Sequence, residues 1–322
     1  MAIPSSSSDP AASPTPLGDL IDRLGHGDAA ALARCISLIE GGGAAADRIH
    51  RRVCANVGRA AVIGFTGAPG AGKSTLIDAL IAALRRRGQS VAVAAVDPSS
   101  PIYGGAILGD RIRMRRHAED PGVFIRSVAS RGHLGGLSES IHRIVDVMDA
   151  AGRDVVIVET VGTGQSEVEV AEIADLCVVV NAPNMGDDIQ AMKAGVLEIA
   201  DVLVVNKADL PQAQRTTDQL KNMLMLRHEK REVPIIETTA IKDDGIEPLL
   251  AAIDALLAAG AAAKAKIRER RMRRLIAQAA GRLLHDRIRD ADAGAMLDLA
   301  DAAARGDIGI AEAAQQALKI IR

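Results

Sequence analysis

From Gly67 to Ser74 the chain reads Gly-Ala-Pro-Gly-Ala-Gly-Lys-Ser, a glycine-rich turn followed by a lysine and a hydroxyl in the spacing G-x-x-x-x-G-K-S. Each residue type has a task at a phosphate. Backbone N–H groups converge on phosphate oxygens only where no Cβ blocks the turn, which Gly67, Gly70 and Gly72 allow, with Ala68, Pro69 and Ala71 between them. Lys73 supplies a point charge for the β and γ phosphates and Ser74 a hydroxyl for Mg²⁺, a hard cation that prefers oxygen ligands. Thr75 completes the set at the start of a helix whose N-terminus adds positive potential. An apolar run before the turn (Ala60 to Phe65) and a helical pattern after it (Leu76, Ala79, Leu80, Leu84) give it the strand-turn-helix context of a nucleotide phosphate clamp.

Three carboxylates are candidates for the Mg²⁺ shell. Asp97 ends the apolar run Val91 to Val96, and Glu159 ends the run Val155 to Val158, where a P-loop enzyme carries its second acidic element. Asp110 lies in Gly109-Asp-Arg-Ile-Arg-Met114, on a segment able to close over a nucleotide. Base identity is assigned further on, where the run Val202 to Val205 delivers Asn206-Lys207-Ala208-Asp209. The Asp209 carboxylate accepts both the N1–H and N2–H₂ protons of guanine, the Lys207 stem lies across the base, and Asn206 ties the turn to the phosphate loop. Adenine would leave that carboxylate unpaired, a mismatch that discriminates steeply. Thr239-Ala240 offers a second base contact, through the Ala240 amide to guanine O6. No glutamine directly follows Gly162; Gln165 comes later, so slow intrinsic hydrolysis is expected. Arg111, Arg113 and Arg131 are weighed as arginine fingers against ordinary roles as surface or ion-paired residues.

These residues need a scaffold that brings strand ends together. Short apolar runs alternate with helical segments, which predicts an α/β fold: a P-loop NTPase with a doubly wound, mostly parallel sheet flanked by helices. Strands are expected at Ala60 to Phe65, Val91 to Val96, Val123 to Val128, Val155 to Glu159, Leu176 to Asn181, Val202 to Asn206 and Pro234 to Glu237. Helices are expected near Ala106 to His117, Ser138 to Ala151, Asp187 to Ile199, Gln212 to His228 and Ile246 to Leu257. Residues 17–58 read as an N-terminal helical extension, 59–258 as the nucleotide domain and 259–322 as a C-terminal helical region. Its long pattern, Ala259 to Asp290, carries an apolar stripe for which a second copy is the simplest partner. Residues 1–16, rich in Ser, Pro and Ala, read as a disordered tail.

Composition excludes several classes. A net charge of -2 gives no global pull toward nucleic acid or membrane, and with no Trp, one Tyr and two Phe there is no aromatic platform for single strands. The basic cluster Lys264 to Arg274 therefore reads as a solvated helix face. Cys35, Cys54 and Cys177 form no C-x-x-C pair, which suits a reducing, cytoplasmic setting. His26 and His50 read as surface or packing residues. His133, in Arg131-Gly-His-Leu-Gly-Gly136, has an arginine where a cobalt-ligating histidine would want an acid, so it reads as a loop residue.

The phosphate loop, Asp97-Pro-Ser-Ser, Gly109-Asp-Arg-x-Arg-Met, Glu159-Thr-Val-Gly-x-Gly-Gln-Ser-Glu, Gly186-Asp-Asp-x-Gln-Ala-Met-Lys-Ala-Gly195 and Asn206-Lys-Ala-Asp occur in this order. Together they resemble the MeaB/ArgK family, over roughly Leu17 to Arg322. The resemblance implies a homodimeric GTPase that binds GTP, GDP and Mg²⁺, and that gates adenosylcobalamin delivery to, and protects, methylmalonyl-CoA mutase or a sister acyl-CoA mutase. It implies that Asp97, Asp110 and Glu159 are the Mg²⁺-associated acids, and that Asp187 to Gly195 is an extra switch loop with Lys193 as its working charge. In this family the long C-terminal helix often carries tryptophans; this chain has none. The residues alone leave a second class open, a GTP-dependent metallochaperone or small-substrate kinase. The first would display clustered Cys and His, the second a substrate base and pocket.

Overall fold

The computed structural model describes residues 17–97, 115–129, 139–160, 165–183, 194–226, 232–261, 264–290 and 293–320. Seven strands form one sheet: β1 (Ala61–Thr66), β2 (Val91–Asp97), β3 (Val123–Ala129), β4 (Val155–Thr160), β5 (Leu176–Asn181), β6 (Val202–Asn206) and β7 (Ile235–Thr238). Their order is β3-β2-β4-β1-β5-β6-β7, and every pairing is parallel. Parallel strands need crossovers on both faces, so β4, β5 and β6 are buried along their whole length and read as continuous apolar runs.

Alternate side chains feed two cores. One face takes Ile63, Phe65, Val93, Ile157 and Val178, packed with α4 (Lys73–Arg86) and the face of α9 (Ile246–Gly260) that carries Leu249, Leu250 and Ile253. The other takes Val62, Ala94, Val156, Val158 and Val179. It is covered by α1 (Leu17–Gly25), α2 (Ala29–Gly41), α3 (Gly43–Val53), α5 (Glu139–Ala150), α6 (Gln165–Ile173), α7 (Ala194–Ile199) and α8 (Ala213–Met225). The core is aliphatic, as the composition requires, with Phe65 the one fully buried aromatic among the described residues.

The N-terminal helices are part of this layer. Asp28 caps α2 by accepting from the amides of Ala30 and Ala31 at 2.8 and 3.0 Å. Glu40 takes Arg126 of β3 at 2.6 Å, and Asp47 takes Arg143 of α5 at 2.7 Å. Asp149 at the end of α5 accepts from the amides of Gly58, Arg59 and Ala60, fixing the entry to β1.

The helix α6 was not anticipated. Its apolar residues Val168 and Val170 alternate with Glu167 and Glu169, a period closer to a strand, and burial against β1 and β4 overrides that local preference. Of the expected helix Ala106 to His117 only Arg115–His117 is described, as a single 3₁₀ turn; of Asp187 to Ile199 only α7 is described. The tail 1–16 lies outside the described residues.

The chain divides into two compact units at Lys264. The second begins within α10 (Lys264–Asp290) and contains α11 (Ala293–Arg305) and α12 (Ile310–Ile320), which pack on each other. The single helix expected from Ala259 to Asp290 is thus two, because α9 runs on to Gly260 before α10 starts. No single helix among the described residues is long and apolar enough to cross a membrane.

Candidate functional site

In this strand order the chain leaves β1 at the centre, with β4, β2 and β3 on one side and β5, β6 and β7 on the other. The crevice at such a switch point, beyond the carboxyl ends of the strands, is where open α/β sheets bind ligands. The loop from Gly67 to Gly72 occupies it and leads into α4 at Lys73.

Two glycines are required there by neighbours rather than by the loop alone. Gly67 has φ +135°, and a Cβ on it would run into the carbonyl oxygen of Val180 on β5. Gly72 has φ +88°, and its Cβ would strike the Nδ2 of Asn206. The loop is therefore pressed against two strand ends.

Lys73 is buried and spans the loop, donating from Nζ to the carbonyls of Gly67 at 2.8 Å and Ala68 at 3.0 Å. Ser74 donates its hydroxyl to Glu159 Oε1 at 2.8 Å, joining the start of α4 to the end of β4. Glu159 is 3% exposed, so its carboxylate lies within the protein rather than in bulk water. Next to it Thr160 donates to Thr66 at 3.0 Å, binding the ends of β4 and β1 into one floor.

The base side is built from the turns after β6 and β7. Asn206 donates from Nδ2 to the carbonyls of Ala71 at 3.0 Å and Gly72 at 3.4 Å. Its Oδ1 accepts from the Thr238 hydroxyl at 3.1 Å and the Ala240 amide at 3.2 Å. One amide side chain thus holds three loops. Lys207 sits at φ +58°, an uncommon conformation for a side-chain-bearing residue, and its Nζ reaches back to the carbonyl of Gly70 at 2.9 Å. Its stem is thereby stretched along the wall of a cleft of about 200 Å³, lined by Thr75, Asn206, Lys207, Asp209, Thr239 and Ala240 together with Leu210 and Ile241. Although most of these residues are polar, the surface they turn to the cleft is mainly apolar, as suits a planar heterocycle.

Asp209 lies at the rim with Lys242 Nζ 3.3 Å from its Oδ2. Both are partly exposed, so this is a weak, screened pair. The sequence reading did not single out Leu210, Ile241 or Lys242, although each directly continues a motif that it used. It assigned the Ala240 amide to guanine O6; here that amide donates to Asn206.

Of the remaining expected site residues, Asp97 closes β2 one step beyond the Val96–Thr160 register pair, which brings its backbone to the edge that carries Glu159 and Thr160. Gln165 is the first residue of α6. Asp110, Lys193 and the arginines 111, 113 and 131 lie outside the described residues.

The family model described as methylmalonyl Co-A mutase-associated GTPase MeaB matches residues 32–293. A putative GTPase of Pyrococcus horikoshii is 50% identical over 239 residues, covering 73% of this chain and 75% of the relative. The GTPase ArgK of Escherichia coli is 39% identical over 247 residues, covering 74% and 75%. A mitochondrial methylmalonic aciduria type A homolog of Caenorhabditis elegans is 44% identical over 148 residues, covering 46% of this chain and 37% of the relative. Among solved structures, one described as an LAO/AO transport system kinase superposes with a TM-score of 0.72 at 28% identity, covering 95% and 97%.

Proposed function

The chain belongs to the MeaB family of methylmalonyl-CoA mutase-associated GTPases, and from that premise we propose that it is a GTP-switched chaperone of an adenosylcobalamin-dependent acyl-CoA mutase. It hydrolyses GTP as its relatives' names state, and the energy difference between its GTP and GDP states gates cofactor loading and protects the mutase. The observation that carries this is the extent of the family match. It begins within α2 and ends in α11, so it includes helices on both sides of the nucleotide domain. A shared sequence confined to the phosphate and base loops would support only a nucleotide-binding domain.

Mg²⁺ fits the donor set at the phosphate loop. The Ser74 hydroxyl and the Glu159 carboxylate are buried hard oxygen donors 2.8 Å apart, of the kind this ion takes. Bound there, it would neutralise charge on the β and γ phosphates. Lys73 adds a fixed positive charge on the same loop, and the amides of 67–72 and the start of α4 orient the phosphates. Asp209 and the Lys207 stem fix the base. Gln165 is the proposed positioner of the attacking water, and Lys193 the charge that reports nucleotide state to the mutase.

A homodimer completes the reading. Ile276 and Leu283 of α10 are 63% and 65% exposed, an apolar series that a second copy would cover. We place the protein in the cytoplasm.

A pull-down from native lysate, with the chain loaded with a non-hydrolysable GTP analogue or with GDP, tests the proposal. Nucleotide-dependent capture of an acyl-CoA mutase is expected. Labelled GTP incubated with lysate metabolites provides the opposing outcome: phosphoryl transfer to an acceptor other than water, with no mutase captured, would replace the chaperone with a kinase.

A further inference from the structure

His50, Cys54 and Asp146 bring a nitrogen, a sulfur and a carboxylate oxygen within 4.8 Å of one another. They come from two separate elements. His50 lies in the last turn of α3, and Cys54 follows one turn later, where the helix tightens into a 3₁₀ turn over Cys54–Asn56; Asp146 lies on α5. The spacing H-x-x-x-C puts imidazole and thiol on one helical face, and the packing of α3 on α5 supplies the acid. From the sequence His50 reads as a surface or packing residue, since Asp146 is 96 positions away.

We infer that this cluster is a binding site for a borderline-soft divalent cation, Zn²⁺ or Co²⁺, joining the N-terminal helical extension to the nucleotide domain. The distances suit it. His50 Nε2 is 3.6 Å from Cys54 Sγ and 2.9 Å from Asp146 Oδ2. A tetrahedral zinc with ligand bonds of about 2.0–2.3 Å requires donor separations of about 3.3–3.6 Å. The sulfur–nitrogen edge already has that length and the nitrogen–oxygen edge must open by about 0.4 Å, while Sγ, which is also 3.8 Å from Nδ1, must swing from beside the ring toward the Nε2 lone pair to close the site. Three protein ligands of N, S and O type leave the fourth position to water.

The surroundings are compatible with a cation. Asp146 is 2% exposed and the His50 side chain 14%, so these two donors are largely removed from solvent. Arg143, three residues before Asp146 on α5, is drawn to Asp47 at 2.7 Å. Cys54 is also the thiol suited to the task. Cys35 and Cys177 are buried in the core, and burial pushes their thiols up to about 11 and about 12, away from the thiolate form that metals need. Cys54 is only half-buried and lies beside an imidazole.

The site is separate from the Mg²⁺ position. One turn after Asp146, Asp149 holds the amides of residues 58–60 at the entry to β1, whereas the phosphate loop follows the opposite end of that strand. An ion here would act on the attachment of α3 to α5, not on the phosphates.

Titration of the chelator-treated full chain with Co²⁺, without nucleotide or Mg²⁺, tests the site. One Co²⁺ per chain is expected, with a thiolate-to-cobalt charge-transfer band that Zn²⁺ displaces. Cys54→Ser and His50→Gln should each abolish the band and weaken binding by more than the ~10–100-fold that loss of an outer-shell partner causes. Ser74→Ala should leave the band unchanged, since it alters only the phosphate-loop cation site. Absence of the band in the unmodified chain, or its persistence in Cys54→Ser, overturns the inference and leaves a His50–Asp146 ion pair. Should a variant fail to fold, alkylation of the unmodified chain decides: Zn²⁺ must protect Cys54, and equal labelling with and without Zn²⁺ removes the site.

Discussion

The side-chain amide of Asn206 lies 3.0 Å from the carbonyl oxygen of Ala71, so the turn after β6, proposed to read the base, is bonded to the loop after β1, proposed to hold the phosphates. Asn206 is 2% exposed and also accepts from Thr238 and Ala240. Asn206→Ala should leave partners on two loops unsatisfied, a loss of about 1–3 kcal/mol that corresponds to roughly 5- to 150-fold weaker GTP and GDP binding. Calorimetric titration measures it, and unchanged affinity for both nucleotides would refute the coupling.

The proposed role of Asp209 is to select guanine over adenine. In Asp209→Asn the amide presents a donor where the carboxylate accepted from N2–H₂, and it pairs with the xanthine carbonyl instead. Preference should pass from GTP to XTP in competition assays. Its present partner Lys242, at 3.3 Å on the exposed rim, does not oppose this, because such pairs contribute under about 1 kcal/mol. Equal binding of ATP and GTP by the unmodified chain would remove the assignment.

Lys73→Ala and Ser74→Ala should each reduce GTP hydrolysis by at least about 100-fold, since each deletes a fixed electrostatic contact to the phosphates or their metal. The Glu159 carboxylate accepts from Ser74, so Ser74→Ala should also weaken Mg²⁺ dependence of nucleotide binding. Hydrolysis at the original rate in either variant, followed by phosphate release, contradicts the phosphate clamp.

Lys193, read as the switch charge, should separate coupling from chemistry. In Lys193→Ala, GTP affinity and intrinsic hydrolysis should stay within about twofold, while acceleration by the mutase and gated transfer of adenosylcobalamin fall, because the coupling free energy between the sites is what the change removes. Hydrolysis assays of both proteins with and without the mutase give the answer; undiminished acceleration returns Lys193 to the solvated surface.

The sequence by itself determined the seven strands and the chemistry of their ends. A buried parallel strand must be an apolar run, and its first polar residue must fall at the sheet edge, so Glu159, Asn181 and Asn206 could be placed without coordinates. The phosphate loop was legible for the same reason, since backbone amides can surround an anion only where side chains are missing. What tertiary structure alone decided was the pairing of individual atoms at these ends. The order β4-β1-β5-β6 sets the Glu159 carboxylate on the Ser74 hydroxyl and makes glycine obligatory at 67 beneath the Val180 carbonyl, and the tie from Asn206 to the phosphate loop, already legible in the sequence, falls on the carbonyls of Ala71 and Gly72. Helix α6 escaped notice because alternating Val and Glu favour a strand until burial selects the helix. The meeting of His50 and Cys54 with Asp146 also stayed invisible, because a contact across 96 residues follows from how α3 packs on α5, and no local pattern encodes it.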